Sequence, residues 1–286
     1  MKYLVTGGAG FIGSHLVDKL IKQGHQVVVI DNLLSGSEQY VNAKAVFHKC
    51  DIRNLDEILG HFEGADGVFH LAAIARTPWC IDDPVLAYET NVMGSLNILE
   101  AARVKGVKRV VMTSSNVVYA FFTPYRSSKE ALEALGKVYT DMYGMSVICL
   151  RNSNVYGSRQ SELGPSPNVF SALRKCKKNN GYIEITGDGT QSRDFTHVSD
   201  IVSGHIAAMN CQETGVADLC TGVNHSLNEI AKFFDCPVTY VPDRAGDVKH
   251  ICQNPQPALD MLKWQAVVPL AEGMKDFFSD DKYLKE

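Results

Sequence analysis

The stretch TGGAGFIGSHL, Thr6 to Leu16, restricts the fold of this chain more than any other. It follows a short apolar run, Tyr3-Leu4-Val5, and leads into an amphipathic stretch that continues to Gly24. Gly7, Gly10 and Gly13 therefore fall where a strand hands over to a helix. Glycines there let the main chain come close to a ligand, and the first turn of the helix points unpaired N–H groups at an anion. A tight turn with no ligand is the bland alternative. The strand before it and the helix after it favour a turn built round a phosphate.

The same handover recurs along the first half of the chain. Short apolar runs (QVVVIDN, AVFHKCD, GVFHLAA, RVVMTSS, SVICLRN) alternate with amphipathic segments, the rhythm of a parallel sheet with crossover helices. VVVI and VVM do not alternate polar with apolar, as expected of strands covered on both faces. The expected fold class is α/β: a Rossmann-like, doubly wound parallel sheet with a smaller, irregular α/β lobe. After about Asn154 the rhythm loosens into Pro/Gly/Ser-rich connections such as SELGPSPN and GDGTQS. The expected division puts residues 1–154, plus about 195–224, in a dinucleotide-binding domain. Residues 155–194 and 225–286 form the substrate-binding lobe.

Asp31 closes the second strand, 18 residues after Gly13. A carboxylate there accepts hydrogen bonds from ribose hydroxyls and repels a 2′-phosphate. No lysine or arginine lies between Lys22 and Lys44 to neutralise such a phosphate, so the cofactor read from the sequence is NAD and not NADP. Asp51 and Ile52, at the end of the next strand, are placed to flank the adenine, although a turn-forming aspartate is an equally simple reading.

A second feature lies near the middle of the chain. Thr123-Pro124 reads as a helix cap and first-turn proline, so Tyr125 and Lys129 fall on one face of a helix that runs to Gly144. Leu132, Leu135, Val138 and Met142 are its expected apolar face. A tyrosine titrates at about 10, so a phenol that works as a base near neutrality has to be acidified by about 4 kcal/mol. A positive charge about 5 Å away contributes roughly 3 kcal/mol at an effective dielectric of about 20. Lys129 is the expected source of that charge. Ser115, at the end of RVVMTSS, is placed to share the proton of the same substrate hydroxyl.

Taken together the motifs resemble the extended short-chain dehydrogenase/reductases, and within them the NAD-dependent epimerase/dehydratase group. The resemblance rests on TGGAGFIG, HLAA (70–73), Asn91 in NVMGSLNILEAA, SSNVVY, YRSSK, LRNSNVYG, GDGTQSRDFTHVSD, and RAGD with the closing LKW. It implies Ser115, Tyr125 and Lys129 as the catalytic set. It also implies that Phe11, Ile12, Asn32, Leu71, Ala72, Ala73 and Asn91 join the glycines, Asp31, Asp51, Ile52, Tyr125 and Lys129 around NAD. Asn154, Arg193 and Arg244, the last oriented by Asp247, match positions at which relatives hold a nucleoside diphosphate. Paired guanidinium hydrogen bonds suit a pyrophosphate, whereas a surface or lobe-bridging ion pair is the plain alternative for each arginine.

Dehydratases of this group resemble one another in an Asp-Glu pair after the strand-end residue, where this chain has Asn116 and Val117. The implied activity is therefore epimerisation at C4 of a UDP-sugar, the enzyme class an isomerase. Relatives usually place on the order of twenty residues between the two tyrosines; here only AFFTP separates Tyr119 from Tyr125. The ten residues from Ser115 to Tyr125 can still span about 33 Å, so the set can close. The opened site keeps two alternatives: a net oxidoreductase of a nucleotide-linked sugar, and a catalytically silent NAD or nucleotide-sugar binder. Phe121 and Phe122 are placed either to cover the site or to meet another subunit. Ile251 is the residue at the gate for an N-acetyl group, and its middling volume selects nothing.

Charge and cysteines set the remaining expectations. With 28 basic against 32 acidic residues the formal charge is only -4, which suits neither nucleic acid nor an anionic membrane. The eight cysteines form no CxxC pair and no ligand spacing with histidines, so reduced, buried thiols and no metal are expected. The chain enters a strand at once, without a cleavable signal or a long apolar run, so a soluble, cytoplasmic protein is expected. By resemblance, helices near Val85–Ala102 and Glu130–Tyr143 pair across a homodimer.

Overall fold

The computed structural model of the chain describes residues 1–160, 168–242, 249–251 and 253–279. The first half runs β1 (Lys2–Thr6), α1 (Phe11–Lys22), β2 (Gln26–Ile30), β3 (Val46–His48), α2 (Leu55–Leu59) and β4 (Gly67–His70). It continues with α3 (Thr77–Asp82), α4 (Pro84–Tyr88), α5 (Gly94–Val104), β5 (Arg109–Ser115), α6 (Pro124–Tyr143) and β6 (Ser146–Asn152). Then come β7 (Asn154–Tyr156), α7 (Val169–Asn180), β8 (Ile183–Thr186), β9 (Ser192–His197), α8 (Val198–Asn210) and β10 (Gly215–Leu219). The chain closes with β11 (Asn224–Ser226), α9 (Leu227–Ala231), β12 (Val238–Val241), α10 (Gln256–Leu262) and α11 (Leu270–Ser279).

Seven strands pair in parallel in the order β10-β6-β5-β4-β1-β2-β3. Succession runs outward from β1 to β3, then returns to β4 on the other side of β1. Such a reversal opens a crevice at the carboxyl ends of the strands. This is the doubly wound α/β sheet expected from the alternating rhythm. Both faces are apolar, which explains the unbroken runs. Val5, Val29, Phe69, Val111 and Ile148 pack under α1 and α8, while Leu4, Ile30, Val68, Val110 and Met112 pack against α5 and α6.

The remaining strands make two small sheets, β11-β9-β7 and β12-β8. Their core is aromatic: Tyr156, Phe170, Phe195, Phe234 and Phe277 are buried together. Ser226-Leu-Asn-Glu229 has the sequence of a capping box and forms one at the start of α9. The sequence put all of 225–286 in the smaller lobe, but Ala258, Leu262 and Trp264 join the core beneath the large sheet. The Trp264 indole N–H donates to Ser203 of α8 at 2.8 Å, which draws α10 across.

Helix α6 begins as predicted. The Thr123 hydroxyl accepts from Arg126 N–H, Pro124 is in the first turn, and Gly144 closes the helix at φ +66°. Its apolar face departs from expectation. Tyr125, Lys129, Leu132, Gly136 and Tyr139 form the buried stripe, whereas Val138 and Met142 are exposed. At 100° per residue the latter lie roughly a third of a turn round the helix, so α6 carries two apolar stripes, one facing outward. Of the cysteines, Cys80, Cys149 and Cys220 are buried; Cys50, Cys176, Cys211 and Cys236 are half-buried, and all seven are free thiols. Cys252 lies outside the described residues. Among those residues no group of His, Cys, Asp or Glu could hold a metal, and no helix is long and apolar enough to cross a membrane.

Candidate active site

The glycine turn joins β1 to α1 at the crevice. Gly7 sits at φ +70°, and a Cβ on it would lie 2.7 Å from the Ala72 nitrogen; one on Gly13 would lie 2.1 Å from the Gly7 carbonyl oxygen. The helix start and the β4 end are therefore held closer than any side chain allows. Phe11 and Ile12 tuck partly into the core below. At the end of β2, Asp31 accepts from Ala9 N–H at 3.0 Å and from Leu33 N–H at 2.8 Å. Burial raises its pKa, and the two N–H donors partly counter this. Each carboxylate oxygen has one such donor, which leaves lone pairs for a ribose diol.

Asn32 donates to Asp51 at 3.1 Å, and Asp51 pairs with Arg53 at 2.9 Å. Arg53 also meets Glu89 at 3.2 Å, so the cation brought to this edge is already matched by two carboxylates. Ile52 turns inward, filling the space left by the missing side chain of Gly94. Glycine cradle, aspartate and matched arginine fit NAD.

Across the switch point, a directional chain of hydrogen bonds fixes the loop after β4. Ala72 N–H donates to the Thr6 hydroxyl, which meets His70 Nδ1 at 2.7 Å. His70 Nε2 meets the Ser95 hydroxyl at 2.8 Å, and that hydroxyl donates to the Asn91 carbonyl. The ends of the chain set its polarity: Nδ1 accepts and Nε2–H donates, so the imidazole is neutral. The Asn91 side chain accepts from Ile74 N–H and donates to the Ile74 carbonyl and the Ser128 hydroxyl. Asn91 sits in a single π turn between α4 and α5, and its amide is committed to this loop and to α6. Thr6, Ser95 and Ser128 are thus the anchors of the HLAA and YRSSK segments, a role that local sequence pattern does not signal.

Burial holds His70 down to about 3, with the Lys129 charge adding to it, and holds His205 down to about 4. Below about 6.5 the unfolded chain therefore takes up two protons that the folded chain refuses, and stability falls as pH falls. The expected slope is about 1.4 kcal/mol per pH unit for each histidine between roughly pH 6 and 4.5. Urea unfolding against pH measures it. In His205→Gln the slope should drop by about that amount, and an unchanged slope would contradict the assignment.

At the neighbouring strand end, Tyr125, Lys129 and Ser115 are brought together. Tyr125 is 8% exposed and Lys129 3%. The Ser115 hydroxyl meets the phenol and accepts from Val117 N–H at 3.2 Å. Lys129 Nζ donates to the Thr113 carbonyl at 2.7 Å and lies 5.9 Å from the centre of the Tyr125 ring. The electrostatics correct the sequence arithmetic. Burial pushes the phenol up to about 12, against the Ser115 hydrogen bond and the Arg76 charge, which lower it. Burial likewise pulls Lys129 down to about 8. Desolvation, which a sequence does not display, is the largest influence on both groups.

The short connection closes without strain on the set. Asn116–Tyr119 form a 3₁₀ turn, and Ala120–Thr123 lead directly into α6. The Tyr119 hydroxyl donates to Asp218 of β10 at 3.1 Å and accepts from Arg151 of β6 at 2.7 Å. Arg151 pairs with Glu133 of α6 at 2.6 Å, and Ser114 donates to the same carboxylate. This network ties three strand ends to the helix that carries Tyr125. Phe121 and Phe122 are exposed, with the Arg126 guanidinium over the Phe122 ring at 4.3 Å.

The residues expected to grip a diphosphate lie farther along. The Asn154 amide reaches the Asp194 carbonyl at 3.4 Å. Arg193 donates to the Ser192 and Lys249 carbonyls at 2.8 and 3.1 Å. Ile251 is buried beside them, its carbonyl accepting from Asn224. Arg244 and Asp247 lie outside the described residues.

A dinucleotide cradle and a Tyr-Lys-Ser set at the carboxyl end of one parallel sheet define the short-chain dehydrogenase/reductase class. Within it, a profile of the NAD dependent epimerase/dehydratase family matches residues 3–219, and the chain belongs to that family. It is 34% identical to a UDP-glucose 4-epimerase from Mycolicibacterium smegmatis, covering 96% of each chain. Among solved structures it resembles a UDP-glucose 4-epimerase from Thermotoga maritima with UDP-glucose: TM-score 0.95, 32% identity, all of both chains covered. It also resembles a UDP-glucose 4-epimerase from Thermus thermophilus complexed with NAD, with TM-score 0.89, 30% identity and 99% and 100% of the two chains covered.

Proposed function

We propose that this chain is an NAD-dependent 4-epimerase of a UDP-linked hexose. The observation that carries the reading is the Tyr125, Lys129 and Ser115 set, followed by Asn116 and Val117. Asn116 and the apolar Val117, which packs against Tyr125, offer no acid or base for eliminating water or carbon dioxide. When bound, NAD supplies the hydride acceptor and donor, and in its oxidised form a positive charge beside the phenol. Tyr125 takes the proton of the sugar hydroxyl, and Ser115 shares the hydrogen bond to that oxygen. Lys129, anchored on the Thr113 carbonyl, keeps positive charge behind the ring. Tyr125 returns the proton once the sugar has presented its other face. Asn154 and Arg193, with Arg244 and Asp247, are the proposed diphosphate contacts.

Incubation with catalytic NAD and UDP-galactose or UDP-glucose, with and without N-acetyl groups, should give a mixture of two epimers. No interconversion of any pair would overturn the reading. The exposed Phe121 and Phe122 favour one second reading, a net oxidoreductase in which the keto sugar leaves; stoichiometric NADH, seen by its absorbance, would identify it. The outward stripe of α6, with Val138, Met142 and Tyr143, and Val104 of α5 supports a homodimer. Met142→Glu should convert the dimer to a monomer in sedimentation equilibrium, and a monomeric parent would refute the pairing.

A further inference from the structure

Arg76 belongs to no motif in the sequence, yet the fold sets it against the centre. It lies on the loop between β4 and α3, where its carbonyl accepts from Cys80 N–H. Ile74 and Cys80, on either side of it, both pack on Tyr125. The Asn91 side chain clamps Ile74 by both main-chain groups, so the loop has little freedom to swing away. Arg76 is half-buried, and among the described residues its guanidinium has neither a carboxylate nor a hydrogen-bond acceptor. A guanidinium taken partly out of water without a counter-ion is costly unless an anion arrives during function. Arg76 stands two residues from Ile74 and one helical turn from Cys80, both packed with the Tyr125 ring, so the phenol is the group within reach of its charge.

We infer that Arg76 is a positioning residue that acts through Tyr125, holding the negative charge the phenol carries until it receives the sugar's hydroxyl proton. The proton moves from the sugar oxygen to the phenolate as hydride leaves the carbon. Arg76 is then left facing a neutral phenol, which favours the reverse transfer that ends the cycle. Lys129 cannot do this alone, because its ammonium is tied to Thr113 behind the ring. The other groups about the phenol are Cys80 of α3, a thiol that burial pushes up to about 11, and the Ser115 hydroxyl. Neither supplies positive charge.

This rests on Tyr125 being the proton-exchanging group, but the test need not rest on turnover. With tyrosine labelled by ¹³C at Cζ, the Tyr125 resonance in the NAD-loaded protein is assigned by its loss in Tyr125→Phe and titrated directly. Arg76→Gln, and Arg76→Met as a second uncharged variant, should raise its midpoint by about one pH unit. Arg76→Lys should restore most of the shift. Where turnover is measurable, the low-pH limb of kcat should move with the midpoint while KM stays constant. Equal midpoints in wild type and Arg76→Gln overturn the inference, as does an Arg76→Lys midpoint equal to that of Arg76→Gln. A raised KM at an unchanged midpoint makes Arg76 a sugar contact instead, and overturns it too. If wild type converts no UDP-sugar yet the midpoints separate as expected, the proposed activity fails and the Arg76–Tyr125 coupling stands.

Discussion

Tyr125→Phe is expected to lower kcat for epimerisation by about 10³-fold, with KM for the UDP-sugar within a few-fold of wild type. The substitution removes one oxygen from a ring that is otherwise locked between Ile74, Cys80, Ala87 and Val117. The ring keeps its place, so fold and binding should survive. Stability should change little or rise, because burying the hydroxyl already works against the fold. Initial rates over a range of substrate concentrations, with thermal unfolding of both proteins, separate these effects. Retention of more than about a tenth of wild-type kcat would remove Tyr125 from proton transfer and leave the mechanism without a base.

Gly13→Ala should act at the other end of the site. The added methyl meets main chain on every side: the Gly7 oxygen at 2.1 Å, the Gly7 carbon at 2.8 Å and the Gly8 Cα at 2.9 Å. None of these is a flexible side-chain tip, so the turn itself has to open. An overpacked site of this kind costs about 1–3 kcal/mol of stability. Loss of two charge-assisted hydrogen bonds to the pyrophosphate, about 3 kcal/mol together, weakens NAD on the order of 100-fold. Gly24→Ala is the matched control. Unlike Gly13 it carries a positive φ, +83°, but a Cβ there meets nothing within 4 Å. It should cost about 1 kcal/mol and leave NAD affinity intact. Calorimetric titration with NAD and urea unfolding decide the matter; equal affinities in the two variants would mean that the turn does not hold the cofactor.

The parts of the site that were legible in the sequence are those fixed by local geometry. Gly7, Gly10 and Gly13 needed only a strand before and a helix after, and Tyr125 and Lys129 needed only a helical spacing. The Thr123 cap and the Ser226–Glu229 box were visible for the same reason. What sequence could not show depends on distant chain. Lys129 was read as an acidifying charge, but both it and Tyr125 are deep enough that desolvation governs them. The tie of the Asn91 amide to Ile74 and Ser128 depends on a loop 17 positions before it and a helix 37 positions after it. Val138 and Met142 fit the helical period and still face outward, because the period does not say which of two stripes the sheet takes. Trp264 returned to the large sheet through a hydrogen bond to Ser203, 61 positions earlier. Arg76 gave no signal at all, since its meaning comes from the loop that Asn91 holds in place.

The connection between Ser115 and Tyr125 is anchored independently at both ends. Tyr119 is fastened to Asp218 and Arg151, and Thr123 is fixed as the cap of α6. What lies between is largely exposed and contacts chiefly Arg126, whose guanidinium donates to the Ala120 carbonyl and covers the Phe122 ring, so its length is a nearly free variable. Each doubling of a flexible loop costs only about 0.6 kcal/mol in closure entropy. Foreign segments spliced between Ala120 and Thr123 should thus be accepted without disturbing the phenol. The scaffold is a natural receptacle for grafted lids, on which new carbohydrate preferences can be selected.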